Sequence, residues 1–341
     1  MICAVSLNPA VDKYLRLEPL QRGGHQTALE VVTSAGGKAI NGAGVIRALG
    51  EPVTVLGFFG GYTGDYLLRE IAREGITAEP VAVAAPTRTA FVLVEADGTE
   101  TEIVEPGAEV GPEAIGELRA RLRQLAPQAR AVVLAGSVPA GCPPEIYRLL
   151  IADCGAACPV LLDTSRAWLR AVLRPGDGAG VGEMPRPLPH VVKPNRREAE
   201  QLLGRRLAAP ADFAAALREI QAQGIARPMI SDGEHGLYAA DGGAAYRARA
   251  PRLERVNSVG SGDATVAGFA VGLARGWDFA ACLRLASACG AANVLTKECA
   301  QVRPGDVERL APAITIETVA VPARSPRDAA RAYSAANPEK P

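Results

Sequence analysis

The chain has 341 residues, 48% hydrophobic and 22% charged, and its 37 Lys+Arg balance 37 Asp+Glu to a formal net charge of zero. That length suits one large α/β domain with an appendage, or two domains. The balanced charge gives no basic footprint for nucleic acid, and no uninterrupted apolar run reaches membrane length.

Ile2 to Leu7 reads as a buried strand stopped by Asn8-Pro9. Residues 13–33 alternate and carry turn glycines (Gly23, Gly24), which predicts short strands outside the main sheet. Ser34 to Gly42 is a glycine turn opening a helix that ends at Leu49-Gly50. Pro52 to Phe59 is another buried strand, Gly60 to Asp65 a turn, and 65–74 a helix with Gly75 as its C-cap. Between 88 and 105, Phe91, Leu93 and Glu95 alternate with Ala90, Val92 and Val94. Asp97-Gly98 makes a hairpin turn there, and Thr99 to Val104 returns. An isolated hairpin is marginal, so it is expected to pair with strands from 13–33 in a small second sheet.

From residue 112 the pattern alternates: helices 112–126, 143–157, 165–173, 196–203 and 211–223 with strands 131–135, 159–163, 190–193 and 227–231. Segment 174–189, with four glycines and four prolines, is a loop. Residues 237–246 form a hairpin around Asp241-Gly242-Gly243, and helices 263–275 and 278–296 close the fold. The tail from about residue 322, rich in Ala, Pro and Arg, is expected to be disordered. Repeated βα units imply an α/β fold, with a mainly parallel sheet sandwiched by helices and ligands at the carboxyl ends of its strands. Seven cysteines without a CxxC pair, several inside apolar runs, favour a reduced cytoplasmic protein over a disulfide framework.

Chemistry concentrates first in Val259-Gly260-Ser261-Gly262-Asp263, followed by an Ala-rich apolar run to Gly276. Glycines let a backbone approach a ligand closely, and a helix start offers unpaired N–H groups and partial positive charge. Such an end attracts phosphate, and an adjacent acid is placed to take a proton, which suggests phosphoryl transfer to a hydroxyl. The bland alternative is a capping Asp after a glycine turn. Other polar groups also follow strands: Asn8 and Asp12; Gly36, Gly37, Lys38 and Asn41; Arg88; Gly136-Ser137; Lys193, Asn195 and Glu198; Ser231, Gly233 and Gly236. Singly each has a bland reading, such as a capping box for Asn195 and Glu198. Jointly they are what a phosphotransfer site needs.

Across nearly its whole length, to about residue 310, the chain resembles the ribokinase-like (PfkB) sugar kinases. The segments that carry the likeness are Asn8-Pro9-Ala10-Val11-Asp12, Ala35-Gly36-Gly37-Lys38-Ala39-Ile40-Asn41, Gly57 to Gly64, Ala135 to Pro139, Lys193 to Glu198, and Val259 to Asp263, in the family's order. The resemblance implies transfer of the ATP γ-phosphate to a sugar hydroxyl, with Asp263 as base and the N–H groups of Gly260, Ser261 and Gly262 as an anion hole. It implies that Asp12, Gly37, Lys38, Asn41, Arg88 and Ser137 hold the sugar, and that Lys193, Asn195, Ser231, Gly233, Gly236 and Val259 flank the nucleotide. Asn195 and Glu198 would organise Mg²⁺ through water. The resemblance further divides the chain into a core (1–8, 34–86 and 106–320), a β lid (9–33 and 87–105) that also joins two copies as a homodimer, and a tail (321–341).

Within that family the chain is most similar to the hexose-phosphate branch. Asn8-Pro9, Lys38, the 60–64 turn, Thr87-Arg88-Thr89 and Glu105-Pro106-Gly107 carry that likeness, with Arg88 and Lys38 supplying charge to a sugar phosphate. The expected acceptor is fructose 1-phosphate, fructose 6-phosphate or tagatose 6-phosphate. The chain departs from the branch at Ala39, where a glycine is usual, and at His25-Gln26-Thr27, where a basic residue is common. Rival readings are a kinase of an unphosphorylated sugar or nucleoside, a non-catalytic sugar-binding regulator, and a dinucleotide-dependent dehydrogenase. The last would want G-x-G-x-x-G after the first strand, where Asn8-Pro9 stands.

Overall fold

The structure, a computed structural model, describes residues 1–164, 166–173 and 187–320. Most of the expected 174–189 loop and the expected tail lie outside the described residues. In chain order the strands are β1 (Ile2–Ser6), β2 (Ala10–Leu17), β3 (Glu30–Gly36), β4 (Val53–Phe59), β5 (Thr77–Ala82), β6 (Arg88–Glu95) and β7 (Glu100–Val104). They continue with β8 (Ala131–Ala135), β9 (Val160–Asp163), β10 (Val191–Val192), β11 (Arg227–Ser231), β12 (Leu237–Asp241), β13 (Ala244–Arg249) and β14 (Thr315–Val319). Ten of them form one sheet in the order β14-β13-β12-β11-β10-β9-β8-β1-β4-β5. From β5 to β11 the neighbours run parallel, and β12 to β14 add an antiparallel edge.

Helices cover both faces of this sheet, as continuous apolar strands require. In β1, Ile2 and Ala4 face one core and Cys3 and Val5 the other. The first core is closed by α1 (Lys38–Ala48), α2 (Gly61–Arg73), α8 (Ser261–Ala274), α9 (Phe279–Asn293) and α10 (Pro304–Leu310). The second is closed by α3 (Pro112–Leu125), α4 (Ile146–Cys154), α5 (Arg166–Leu173), α6 (Arg196–Leu203) and α7 (Pro210–Gln221). Ile115, Leu118 and Leu122 of α3 are buried at the three- and four-residue spacing of one helix face. Truncating a fully buried side chain such as Phe213 or Phe269 would cost about 3–5 kcal/mol.

The remaining strands form a separate sheet in the order β3-β2-β6-β7. β2 pairs antiparallel with β3 and parallel with β6, which pairs antiparallel with β7 through the Asp97-Gly98 turn. Gly98 there takes a φ of 83° and Asp97 Oδ1 accepts from the Thr99 N–H at 2.8 Å. Register places Asp12, Ala90 and Ser34 side by side, and Tyr14 beside Val92 and Val32, all on one face of the pleat. The opposite face carries Leu15, Val31, Leu93, Phe91 and Ile103.

Five elements depart most from the expectations above. α2 starts at Gly61, not 65, because the glycine-rich turn is itself the first helical turn after Gly60. β3 runs to Gly36, since Ser34, Ala35 and Gly36 pair with Asp12, Val11 and Ala10. β5, α10 and β14 were not anticipated; β5 and β14 lie at the outer edges of the large sheet, where burial is incomplete and the apolar pattern is broken.

Candidate active site

Five adjacent parallel strands, β1, β8, β9, β10 and β11, end at the same rim of the large sheet. Their last residues lead into Asn8, Gly136-Ser137, Asp163-Thr164, Lys193 to Asn195, and Ser231 to Gly236. The polar clusters read from the sequence therefore share one edge, where α/β sheets bind ligands.

At this rim stands the start of α8. Its N-cap Gly260 is left-handed, with φ of 82°. A Cβ on Gly260 would lie 2.4 Å from the Ala300 nitrogen, so only glycine fits. Ser261 N–H donates to the Ser258 carbonyl at 3.3 Å, while the N–H groups of Gly260, Gly262 and Asp263 bond no acceptor among the described residues. Asp263 lies in this first turn, and its Oδ2 accepts from Asn41 Nδ2 at 2.9 Å. Burial pushes the Asp263 pKa up to about 6; Lys38 opposes the rise, the charge of Asp163 adds to it, and the Asn41 bond opposes it.

Lys38 and Asn41 reach the site from the first turn of α1, three residues apart and so on one face. The turn depends on Gly37, whose φ of 95° starts the helix over Pro9. Lys38 Nζ lies 3.0 Å from Asp163 Oδ1, and Lys193 Nζ lies 3.3 Å from Asp163 Oδ2. Lys193 is buried and stands 3.3 Å from where a Cβ on Gly262 would be. Burial lowers the Lys38 pKa, but Asp163 and Asp263 outweigh it and hold it above the ordinary lysine value. Asp163, only 1% exposed, is driven up by burial and down further by Lys193 and Lys38, and ends below the usual carboxylate range. Two cations are thus fixed beside the helix start.

On the other side of the rim, Asp12 and Arg88 share one face of the small sheet. Burial pushes Asp12 up to about 7, against the pull of Arg88, and burial lowers the Arg88 pKa. Arg88 Nη1 donates to the Glu105 carbonyl at 3.3 Å, and its buried Nε has no partner among the described residues. Asn8 Nδ2 donates to Ser137 Oγ at 3.1 Å.

Asn195 caps α6 in a reciprocal capping box: the Asn195 N–H donates to Glu198 Oε2, and the Glu198 N–H to Asn195 Oδ1, each at 2.9 Å. The bland reading of this pair is therefore present, although Glu198 remains within electrostatic reach of Lys38. Among the described residues no group of three His, Cys, Asp or Glu side chains is arranged to hold a metal. The oxygen donors of Asn195 and Glu198 suit Mg²⁺, a hard ion that keeps much of its water. Ser231 bridges to Asn195, Gly236 takes φ of 107°, and Val259 donates its N–H to Asn257 Oδ1 at 2.9 Å.

Four participants escaped the sequence reading. Asp163 ends an otherwise apolar strand, an irregularity that marked it. Asn293 is a fully buried amide in an Ala-rich helix; its Nδ2 donates to the Val259 carbonyl at 3.0 Å and to Ser261 Oγ at 2.9 Å. Tyr14 and Cys299 meet beside Asn41, and no local pattern foretold that contact.

The sequence signature described as pfkB family carbohydrate kinase matches residues 5–304. The chain is 38% identical over 324 residues to a 1-phosphofructokinase of Xanthomonas campestris pv. campestris, covering 92% of this chain and 98% of that protein. It superposes on phosphofructokinase-2 from Escherichia coli in complex with fructose-6-phosphate with a TM-score of 0.81 at 26% identity, over 91% of this chain and 98% of that one. The tetrameric inhibited form of the same Escherichia coli enzyme gives equal values.

Proposed function

The chain belongs to the pfkB family of carbohydrate kinases, and from that premise we propose that it transfers the γ-phosphate of ATP to a hydroxyl of a hexose phosphate, with Asp263 as base. It is an enzyme, a phosphotransferase acting on a sugar or sugar phosphate. The observation that carries the finer reading is Asp263 at the start of α8, bonded to Asn41, with unpaired N–H groups beside it and two lysines behind. A base near pKa 6 is ionised at neutral pH yet basic enough to accept a hydroxyl proton.

Asp12 and Asn41 orient the acceptor hydroxyl, with Gly37 leaving room for the sugar and Ser137 closing its far side. Asp263 takes the proton as the oxygen attacks. The N–H groups of Gly260 and Gly262, with the Asp263 N–H, hold the oxygens of the transferring group, and Lys38 and Lys193 offset its charge. Phosphoryl transfer is mostly such positioning and charge stabilisation. Lys193, Asn195, Ser231, Gly233, Gly236 and Val259 flank the nucleotide. Asn195 and Glu198 would hold Mg²⁺ through water, and the ion would neutralise charge on the ATP phosphates. Arg88, with an unpaired buried Nε, waits for an anion, and the sugar's own phosphate supplies one.

The name of the 38%-identical relative puts fructose 1-phosphate first among acceptors. The small sheet is a lid, and its outer face, with Val31 and Ile103 each 55% exposed, is the surface on which two copies pair. Seven free thiols fit a reducing cytoplasm; no helix among the described residues is long and apolar enough to cross a membrane.

The test is an ADP-release assay with fructose 1-phosphate, fructose 6-phosphate, tagatose 6-phosphate, fructose, ribose and adenosine. One of the hexose phosphates should give the highest kcat/KM, and Arg88→Ala should raise KM for it about tenfold or more while sparing ATP. Faster turnover of an unphosphorylated acceptor would overturn the assignment.

A further inference from the structure

Three parts of the fold meet at one sulfur. Asn41 Nδ2, already bonded to Asp263, also donates to Cys299 Sγ at 3.6 Å. The Tyr14 side chain, on β2 and on the Asp12 face of the small sheet, stands within electrostatic reach of the same thiol. The next residue, Ala300, has φ of 51° and is the one non-glycine residue with positive φ among those described. Left-handed backbone is costly for alanine and persists where the surroundings enforce it. Here Asn257 Nδ2 holds the Lys297 carbonyl at 3.0 Å, and the Thr296 hydroxyl lies within 3.2 Å of the Glu298 and Gln301 carbonyls. Ala300 in turn is packed against Gly260, the N-cap of α8, and its N–H points to the Val259 carbonyl at 3.4 Å.

We infer that Cys299 is a positioning residue that ties Tyr14 of the small sheet to Asn41 and, through Ala300, to the Gly260 turn. The sulfur accepts from Asn41 and offers its second lone pair to the Tyr14 hydroxyl, so Asn41 keeps its amide toward Asp263 while the small sheet is held over the acceptor side. Burial pushes the thiol up to about 12, so it works as a neutral hydrogen-bonding group and not as a nucleophile. A contact on the acceptor side acts on the sugar and leaves nucleotide binding alone. The inference rests on Asp263 serving as the base of a kinase.

The test is a double-mutant cycle on the full chain: Cys299→Ala, Cys299→Ser, Tyr14→Phe and Tyr14→Phe/Cys299→Ala. Each is assayed with the hexose phosphate varied at saturating ATP, then the reverse, beside a thermal melt. Cys299→Ala and Tyr14→Phe should each lower kcat/KM for the acceptor about two- to tenfold, the worth of one modest hydrogen bond. KM for ATP should hold, and the melting temperature should fall by no more than about 3 °C, the worth of one modest hydrogen bond in a chain of this size. Cys299→Ser, which keeps an acceptor atom, should recover most of the loss, and the double variant should lose no more than the weaker single one. Additive losses, an unrescued serine variant, or losses that follow the melting temperature would mean plain packing and overturn the inference. If the wild type phosphorylates none of the sugars, the kinase reading fails instead. The cycle is then read on unfolding of the free chain, where absence of coupling between Tyr14 and Cys299 refutes the contact itself.

Discussion

Replacing Asp263 by Asn removes the proposed base while keeping an acceptor for Asn41 Nδ2. A placed general base contributes about 10²–10⁴-fold, so kcat should fall by that factor with little change in KM for ATP. The pH dependence gives a second reading. In the wild type, kcat/KM should fall as pH drops through about 6, and one unit below that only roughly a tenth of Asp263 is ionised. The residual rate of Asp263→Asn should lack that limb. Asp12, raised to about 7, titrates nearby, so the limb is assigned by its loss in the Asp263 variant and its persistence in Asp12→Asn.

Stability should move the opposite way. Folding raises the Asp263 pKa from 3.8 to about 6, so the fold favours its neutral form. That favourable contribution is complete below pH 3.8 and is lost as pH rises through about 6. Above this window ionised Asp263 costs the fold at most about (6 − 3.8) × 1.36 ≈ 3 kcal/mol, and about 1–2 once its residual solvent contact is allowed for. Asp263→Asn should therefore melt higher than the wild type at pH 8, with the gap closing near pH 4. Near-normal turnover in the variant, or an unchanged acid limb, would refute the reasoning; a variant less stable at pH 8 would refute the burial argument.

Asp163→Asn leaves Lys38 and Lys193 without their shared counter-charge and should destabilise by about 3 kcal/mol or more in denaturant unfolding. Because the Asp163 charge raises the Asp263 pKa, the acid limb of kcat/KM should also move to lower pH. Asn293→Ala removes the donor that holds Val259 and Ser261, so kcat should drop about tenfold with both KM values nearly constant. Charges placed on the outer face of the small sheet, Val31→Glu with Ile103→Lys in separate chains, should each turn the proposed dimer into monomers by sedimentation velocity.

The alternation of strands and helices from residue 112, the Asp97-Gly98 hairpin and the α8 turn were legible because each is written in neighbouring residues. Periodicity, turn chemistry and glycine spacing are local signals. What was not legible is what only the topology brings together. Asp163 and Lys38 are far apart in sequence, yet β9 ends at the rim where α1 begins. Asn293 reads as one polar residue in an apolar helix until α9 packs on α8 and sets its amide beneath the Gly260 turn. The sequence suggested a sugar phosphate as the partner of Lys38; the structure gives its ammonium a carboxylate, which leaves Arg88, among the described residues, as the cation with an unpaired buried nitrogen.

The three acids of the site are set apart by what surrounds them. Asp163 is the most deeply buried, yet two ammonium groups within 3.3 Å keep it ionised. Asp263 sits near the same lysines without an ion pair of its own among the described residues, takes one amide donor from Asn41, and is raised by burial to about 6. Asp12, opposed by one desolvated arginine across the small sheet, rises to about 7. Environments that push neighbouring titratable groups apart divide the labour between them. Were Lys38 and Lys193 paired with Asp263 itself, its carboxylate would be depressed like that of Asp163 and would make a poor base. By engaging both lysines, Asp163 leaves their charge beside the helix start, where it can meet phosphate, and leaves Asp263 basic enough to take a proton.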